Sequence, residues 1–186
     1  VPTLAEMLAA VTADGGLSGL RLLLLGGDWV PLNLPSVFGR LAPSCRFVAL
    51  GGTTETAIHS TVQEVWRVEA AWSSIPYGVP LRNVQCRVVD VLGRDRPDFV
   101  AGELWIGGAG VARGYRGDPV RTAERFVEVL GQRWYRTGDM ARYLPGACLE
   151  FLGRADLQVK VLGHRIELQE VEAVLEQHPE VARSVL

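Results

Sequence analysis

The spacing of hydrophobic residues changes near the end of the chain, and the change predicts two kinds of structure. Apolar and polar residues alternate over 157–161, and again over 165–168 after the pair Gly163-His164. Alternation on both sides of a glycine-containing turn is typical of a β-hairpin. Apolar residues then recur at helical spacing before a proline, at Val171, Val174 and Leu175 before Pro179. A hairpin followed by a helix indicates a new layer, so we expect a separate subdomain over residues 156–186.

The first 60 residues alternate between the patterns of a helix and of a buried strand. Thr3 and Glu6 form a capping box that predicts the start of a helix. Behind it lies an apolar helical face made of Leu4, Met7, Leu8 and Val11. The continuous apolar runs Leu20–Leu25 and Phe47–Leu50 predict strands buried on both faces, with a short helix over Pro35–Ala42 between them. This order predicts the tail of a doubly wound sheet, the end of an α/β core subdomain with an exposed sheet edge.

Residues 61–155 have a pattern richer in strands. The strand-like segments are separated by turns that contain proline or glycine, and they are Val62–Val68, Gln85–Leu92 and Gly102–Ile106. One helix interrupts them, since Asp118-Pro119 has the form of a cap followed by a proline at the first helical position. We expect this helix to cover Val120–Val129. The chain is therefore predicted to be a mixed α/β protein.

Composition excludes several classes of function. The 186 residues carry a net charge of -2, whereas a nucleic-acid-binding domain would have a basic face. The apolar run Leu22–Leu25 is too short to span a membrane, and we expect no membrane insertion and no signal peptide. Three widely separated cysteines favour reduced thiols in the cytoplasm, and three histidines without ligand-like spacing make a structural zinc site an unfavoured interpretation; the cysteines are Cys45, Cys86 and Cys148.

Two short segments have the residue types of a nucleotide site. The run Gly51-Gly52-Thr53-Thr54-Glu55 follows a predicted buried strand, where ligands meet open α/β sheets. Its glycines permit close approach, its hydroxyls can bind phosphate oxygens, and its carboxylate can hold Mg²⁺. Asp139 closes the segment Tyr135–Asp139, and one carboxylate can accept hydrogen bonds from both hydroxyls of a ribose. The alternatives are a turn in which Thr54 or Glu55 caps a helix, and a turn aspartate at 139.

Four collinear blocks carry a resemblance to a known family: Leu50–Glu55, Gly102–Tyr115, Tyr135–Asp139 and Gly153–Leu168. Together they resemble the adenylate-forming enzymes, and within them the adenylation domains of nonribosomal peptide synthetases. The resemblance implies that the chain is the C-terminal part of the large domain, with a small distorted β-barrel over 61–155. It also implies that the start of the small C-terminal α+β subdomain follows.

The resemblance implies a role for individual residues. Thr54 and Glu55 correspond to catalytic positions, Thr54 at the α-phosphate of ATP and Glu55 at Mg²⁺, and Gly51, Gly52 and Thr53 line the nucleotide. Asp139 corresponds to the residue that grips the ribose, Arg154 to one that reaches the ribose or phosphates, and Phe151 to an aromatic near the nucleotide. Surface pairing for Arg154 and core packing for Phe151 are the alternatives.

The same resemblance implies a conformational role for the last segment. Asp156 corresponds to the family's hinge, a position that absorbs a large change in backbone angles. Lys160 and Gly163 lie on the hairpin that swings toward the active site when the thioester forms. From spacing alone, Lys160 is a solvated lysine on a strand.

Two departures from the common pattern point to a subclass. Amino-acid-activating relatives usually have an aromatic residue that stacks on adenine where this chain has Gly51, and a proline where it has Thr53. Such a pair of glycines favours the siderophore-type, heterocycle-forming synthetases, those of mycobactin assembly among them. The positions that correspond to the substrate pocket form a small, mainly apolar set with one imidazole: Leu24, Gly26, Leu50, Ile58 and His59. That set favours threonine or serine and, less well, cysteine.

The resemblance also defines the expected partners. The parent enzyme would form an aminoacyl adenylate from ATP and an amino acid and pass it to the phosphopantetheine thiol of a carrier domain. Condensation or cyclisation domains and a small accessory activator protein are expected beside it. The family's phosphate-binding loop and late lysine are absent from these 186 residues, so the isolated chain is expected to be inactive. The alternatives are an acyl- or aryl-CoA ligase, which shares these blocks, and a non-catalytic module that docks a carrier domain.

Overall fold

A computed structural model describes residues 1–70, 72–155, 158–161, 164–167, 171, 174–175, 177–178, 181 and 184. The elements lie in the order α1 (Pro2–Ala10), β1 (Leu22–Gly26), α2 (Leu34–Leu41), β2 (Arg46–Gly51), β3 (Thr61–Glu64), β4 (Val79–Pro80), β5 (Val84–Val89), β6 (Gly102–Gly108), α3 (Pro119–Arg125), β7 (Phe126–Val129), β8 (Gln132–Leu144), β9 (Cys148–Arg154), β10 (Gln158–Val161) and β11 (His164–Glu167). A short 3₁₀ helix, Thr54–Thr56, follows β2.

The first sheet has the strand order β1-β2-β3-β4. β1 and β2 run parallel, as a doubly wound sheet requires, and β3 and β4 continue the sheet antiparallel. Its core joins the strands to α1, α2 and the segment that precedes β4, through Ala5, Leu25, Val30, Leu34, Phe38, Phe47, Ala49, Val65 and Ile75. The helix predicted over Pro35–Ala42 is confirmed as α2, which buries the i, i+4, i+7 face Leu34, Phe38 and Leu41.

The predicted capping box at Thr3 is wrong. α1 begins at Pro2, with Val1 at the N-cap and no side-chain cap, because proline has the backbone angle of a first helical residue and places Thr3 inside the helix. The buried face consists of Pro2 and Ala5. The predicted apolar face, Leu4, Met7, Leu8 and Val11, is 42% to 83% exposed.

The first strand also differs from its prediction. β1 lies at the end of the strand order, and Leu22 and Leu24 are 44% and 54% exposed. Within these 186 residues, β1 is therefore not buried on both faces as predicted, and it forms the exposed sheet edge that was predicted. The prediction fits β2, where Phe47, Val48 and Ala49 are all buried.

The second sheet is antiparallel, with the order β5-β6-β8-β7 and with β9 paired to β8. Asp118 caps α3 as predicted, since its carboxylate accepts a hydrogen bond from the Arg121 backbone N–H. The predicted extension of this helix to Val129 is wrong, because α3 ends at Arg125 and Phe126–Val129 is strand β7. Phe126 is buried against Tyr135 of β8, so pairing in the sheet outweighs local helix preference.

The C-terminal hairpin is confirmed: β10 and β11 pair antiparallel, with Val159 opposite Ile166. Of the turn predicted at Gly163-His164, Gly163 lies outside the described residues and His164 is the first residue of β11. Most of the predicted helix after the hairpin also lies outside the described residues. The mixed α/β fold class predicted from the sequence is confirmed. None of the helices in the described part of the chain combines the length and hydrophobicity needed to cross a membrane.

Candidate functional site

The segment that ends in Asp139 lies inside β8, where the pairing with β6 is irregular. The register shifts between Glu103 and Trp105 of β6, and the Thr137 side chain occupies the shift. Its hydroxyl donates to the Leu104 carbonyl at 2.7 Å and accepts from the Asp139 backbone N–H at 2.9 Å. Gly138 has φ +74°, which glycine adopts without strain. The irregularity thereby fixes the direction of the Asp139 side chain, and the alternative of a turn aspartate is wrong.

Asp139 pairs with Arg154 on the neighbouring strand. The two residues are opposite each other in the β8–β9 register. Nη1 of Arg154 lies 2.8 Å from Oδ1 of Asp139, and the two side chains are only 12% and 7% exposed. A buried carboxylate is retained where a cation compensates it. Surface pairing was the alternative for Arg154, and the burial of this pair contradicts it.

This ion pair lies in the wall of a cavity of about 230 Å³. The cavity is lined by Asp28, Trp29, Val30, Ala49, Leu50, Ser74, Ile75, Pro76, Tyr77, Asp139, Phe151, Gly153 and Arg154. The rings of Tyr77 and Phe151 stack with a centroid distance of 5.0 Å and an interplanar angle of 6°. Trp29 meets Phe151 edge-on at 4.8 Å. Charged side chains beside flat aromatic rings suit a ligand that has both a ring and hydroxyl groups.

The glycine-rich turn after β2 is held by its own hydroxyls. Thr53 is the N-cap of the 3₁₀ helix, and it forms a capping box with Thr56. The Oγ atoms of Thr56 and Ser60 are 2.7 Å apart, and the Ser60 N–H donates to the Gly51 carbonyl at 2.7 Å. The turn therefore is a cap, as the alternative supposed, but Thr53 rather than Thr54 or Glu55 performs the capping. Thr54 is exposed and the Glu55 side chain is buried.

The Glu55 carboxylate is linked to the second sheet. The Tyr115 hydroxyl donates to Oε1 of Glu55 at 2.8 Å, and the hydroxyls of Tyr115 and Tyr135 are 3.3 Å apart. Burial, with the hydroxyl of Tyr115 and the charge of Glu55, raises the pKa of Tyr135 well above its ordinary value. The phenol of Tyr135 therefore stays protonated at neutral pH. Tyr115 connects the turn of the first sheet to the barrel-like second sheet.

Tyr115→Phe in the intact parent protein is expected to raise the Mg²⁺ concentration needed for half-maximal adenylation about tenfold. The variant removes the hydrogen bond that holds the Glu55 carboxylate in place for the metal. A hydrogen bond to a charged group is worth about 1.5 kcal/mol at the low end of its range. The measurement is the Mg²⁺ dependence of pyrophosphate exchange. Tyr143→Phe is the matched control, because it removes a half-buried hydroxyl that donates to the Cys86 carbonyl at 2.9 Å, away from Glu55. Equal Mg²⁺ requirements in both variants would contradict a link between Tyr115 and the metal.

The described residues fit Mg²⁺ only in a site where the substrate supplies most of the metal ligands. Within the described residues, no group of three or more His, Cys, Asp or Glu side chains is arranged to hold a metal ion. Mg²⁺ is commonly held by one or two carboxylates together with substrate phosphates and waters. Glu55 fits that manner of binding, in which the phosphates bring most of the ligands.

The predicted substrate-pocket residues lie in different surroundings. Leu50 lines the cavity, next to the aromatic and charged residues. Gly26 is opposite Leu50 in the parallel register, and a Cβ there would lie 2.6 Å from the Leu50 carbonyl oxygen. Leu24, Ile58 and His59 are exposed. Their role in a substrate pocket stays a prediction.

The predicted hinge residues cannot be placed. Asp156 and Gly163 lie outside the described residues, as does the side chain of Lys160. The hinge and the thioester-forming conformation therefore stay predictions. The described backbone reaches Ala155, whose N–H donates to the Gly138 carbonyl at 2.9 Å.

Sequence reasoning missed two aromatic residues of the cavity. Trp29 comes shortly after Gly26-Gly27, and Tyr77 stands between Pro76 and Gly78. The first position carries a weak signal, because ligands gather where parallel strands end. Tyr77 carries none, since its neighbours read as an ordinary turn.

The sequence and the structure of this chain are similar to those of known proteins. The profile of the family described as AMP-binding enzyme matches residues 1–116. The phenyloxazoline synthase of Mycobacterium tuberculosis is 53% identical over 184 residues, which cover 97% of this chain and 13% of the synthase. The chain thus spans a small part of the length of the curated relatives it matches.

Two solved structures are similar as well. A nonribosomal peptide synthetase in its α-methyl-L-serine-AMP bound form is 42% identical, with a TM-score of 0.80 over 84% of this chain and 18% of that one. A synthetase protein containing adenylation and PCP domains, in its holo form bound to a vinylsulfonamide inhibitor, is 32% identical with a TM-score of 0.91 over 100% of this chain and 33% of that one. The resemblance to adenylation domains, and within them to the heterocycle-forming synthetases, is confirmed.

Proposed function

We propose a nucleotide-binding role in amino-acid activation for this chain, which belongs to the AMP-binding enzyme family and resembles the adenylation domains of nonribosomal peptide synthetases. In the parent protein, the carboxylate of an amino acid attacks the α-phosphorus of ATP. The bond to the β-phosphate oxygen breaks, and aminoacyl-AMP and pyrophosphate form. A carrier thiol then attacks the acyl carbon, which gives a thioester and releases AMP.

The observation that carries this proposal is the buried Asp139–Arg154 pair in the wall of a cavity that also presents aromatic rings. Asp139 would accept hydrogen bonds from the ribose hydroxyls, and Arg154 holds the carboxylate in place. Glu55 would contribute the protein ligand to Mg²⁺, which neutralises charge on the phosphates. The exposed Thr54 would contact the α-phosphate region. Arg154 thereby contributes to ribose binding indirectly, because it positions Asp139.

The substrate is proposed to be threonine or serine, with cysteine as the third choice. One similar structure is named for its α-methyl-L-serine-AMP bound form, and one relative is named a phenyloxazoline synthase. An oxazoline ring contains the nitrogen and oxygen of a β-hydroxy amine, which serine and threonine supply. A carrier domain with a phosphopantetheine arm, neighbouring condensation or cyclisation domains, a small activator protein and a cytoplasmic location complete the proposal.

The test is ATP–pyrophosphate exchange by the intact parent with a panel of amino acids, aryl acids and fatty acids. Exchange stimulated by threonine or serine supports the proposal. Exchange stimulated only by aryl or fatty acids would instead favour the alternative of an acyl- or aryl-CoA ligase. A parent that binds no ATP in a thermal-shift assay would be a docking module, and the proposal would be wrong.

His59→Leu in the parent is expected to reduce the preference for threonine over valine. A site that hydrogen-bonds a hydroxyl rejects the analogue without it, and loss of the imidazole would remove that discrimination. The ratio of the two exchange rates in wild type and variant measures this. His178→Leu, which removes another exposed imidazole that the resemblance does not assign to the substrate pocket, is the control and should keep the ratio. If the ratio is also unchanged in His59→Leu, the exposed His59 has no part in recognition.

A further inference from the structure

The ring of Tyr77 occupies the space that a side chain at position 51 would need. A Cβ built on Gly51 would lie 2.8 Å from both Cγ and Cδ2 of Tyr77, and 2.5 Å from Oγ1 of Thr61. Real Cβ atoms do not approach ring atoms this closely, and neither the ring nor Thr61 is the far end of a flexible chain. An aromatic residue at position 51 and the observed position of Tyr77 therefore exclude each other.

The Tyr77 ring is also part of the cavity that holds the ion pair. Phe151 covers one face of the ring in a parallel stack, and Tyr77 remains only half-buried because another part of it lines the cavity. Burial and the charge of Asp139 raise the pKa of Tyr77 well above its ordinary value. The ring is therefore neutral and keeps its flat apolar surface at physiological pH.

Hydrogen bonding of its hydroxyl within the described residues does not account for a tyrosine at position 77. Within the described part of the chain no hydrogen bond to this hydroxyl is found, whereas Tyr115 and Tyr143 both donate to named acceptors. What Tyr77 contributes is the ring itself, next to a carboxylate and a guanidinium. Asp139 and the ring of Tyr77 line one cavity of about 230 Å³, so a base joined to a ribose at Asp139 can reach this ring.

We propose that the purine base of the nucleotide packs against the ring of Tyr77, and that position 51 is glycine because this ring needs its space. The inference rests on the proposed function, since it names the residue that contacts the base in the same site. Stacking on an aromatic ring contributes affinity for any base, because each base has a flat π surface. Tyr77 is thus a binding residue for the nucleotide and not for the amino acid.

The test measures binding of AMP and of 2′-deoxy-AMP to the intact parent by titration calorimetry. Tyr77→Leu is expected to weaken both ligands about tenfold, within the range measured for loss of base–aromatic stacking, and to keep the ratio of the two affinities. Tyr77→Phe should stay within about twofold of wild type, because it keeps the ring. Asp139→Ala should instead weaken AMP and abolish the ratio, because the variant loses the contact with the 2′-hydroxyl.

Two results would overturn the proposal. One is an AMP affinity that Tyr77→Leu leaves unchanged while Asp139→Ala weakens it, which means that Tyr77 only packs. The other is a change confined to the Michaelis constant of the amino acid, which would place Tyr77 at that substrate. A parent that binds no AMP at all would refute the proposed function itself, so the two failures are distinguishable.

A second measurement uses the wild-type parent and does not depend on folding of a variant. Irradiation with 8-azido-AMP is expected to label the tryptic peptide 68–82, which contains Tyr77. Excess AMP should prevent the labelling. Labelling of other peptides without this one would contradict the proposal.

Discussion

Asp139→Ala in the intact parent is expected to weaken ATP binding by at least a hundredfold. The ribose clamp would lose two hydrogen bonds to a charged group, each worth about 1.5–3 kcal/mol. The same change leaves the guanidinium of Arg154, only 12% exposed, without the carboxylate that lies 2.8 Å away. Removing one partner of a buried pair costs about 3–5 kcal/mol of stability. Calorimetry of unfolding and ATP titration measure the two effects.

The double variant Asp139→Leu/Arg154→Leu separates binding from folding. Replacing both partners of a buried pair by apolar residues of similar volume is often neutral or stabilising. We therefore expect the double variant to recover much of the stability lost in Asp139→Ala while ATP binding stays weak. Recovery of ATP binding together with stability would mean that Asp139 has only a structural role, and the clamp would be rejected.

The parts of the fold that could be predicted are those in which local pattern and tertiary contact agree. Phe38 and Leu41 follow Leu34 at helical spacing, and all three are buried in α2. The apolar run of β2 is buried, and the alternation around residues 162–163 forms the hairpin. In each case one segment carries both the propensity and the buried face.

The errors arose where a longer-range contact overrides the local pattern. Residues Val120–Val129 read as one helix, but Phe126 pairs and packs against β8, which no local signal reveals. β8 itself was not predicted, because Thr137-Gly138 resembles a turn and the register shift between Glu103 and Trp105 appears only when β6 lies alongside. Strand pairing of distant segments decides both cases.

The residues of the candidate site also include some that could be predicted from the sequence and one that could not. Asp139, Arg154 and Phe151 could be chosen from the resemblance, and the structure brings all three to one cavity. Tyr77 could not be chosen, because its relation to Gly51 is a contact between residues 26 positions apart that depends on the path of the chain after β3. A departure from a motif at one position is explained by a side chain at another, and coordinates are needed to find it.

Gly52→Ala is expected to destabilise the adenylation domain by about 2–4 kcal/mol, the sum of backbone strain and overpacking. Gly52 has φ +149°, and a Cβ there would lie 2.4 Å from the Ile58 carbonyl oxygen and 2.7 Å from the Ser60 nitrogen. Both are backbone atoms of the turn, so a change of rotamer cannot relieve the contact. The turn must open, and the Glu55 carboxylate moves with it.

The matched control is the same substitution at Gly39. This glycine lies within α2, and a Cβ there would meet no atom within 4 Å. Alanine in a helix interior is more stable than glycine by about 0.5–1 kcal/mol, so Gly39→Ala should raise the melting temperature that Gly52→Ala lowers. Pyrophosphate exchange at a temperature where both variants are folded should be normal in Gly39→Ala and strongly reduced in Gly52→Ala, because only the second displaces Glu55. Normal exchange and unchanged stability in Gly52→Ala would show that the turn tolerates a side chain, and that its glycines do not position the carboxylate.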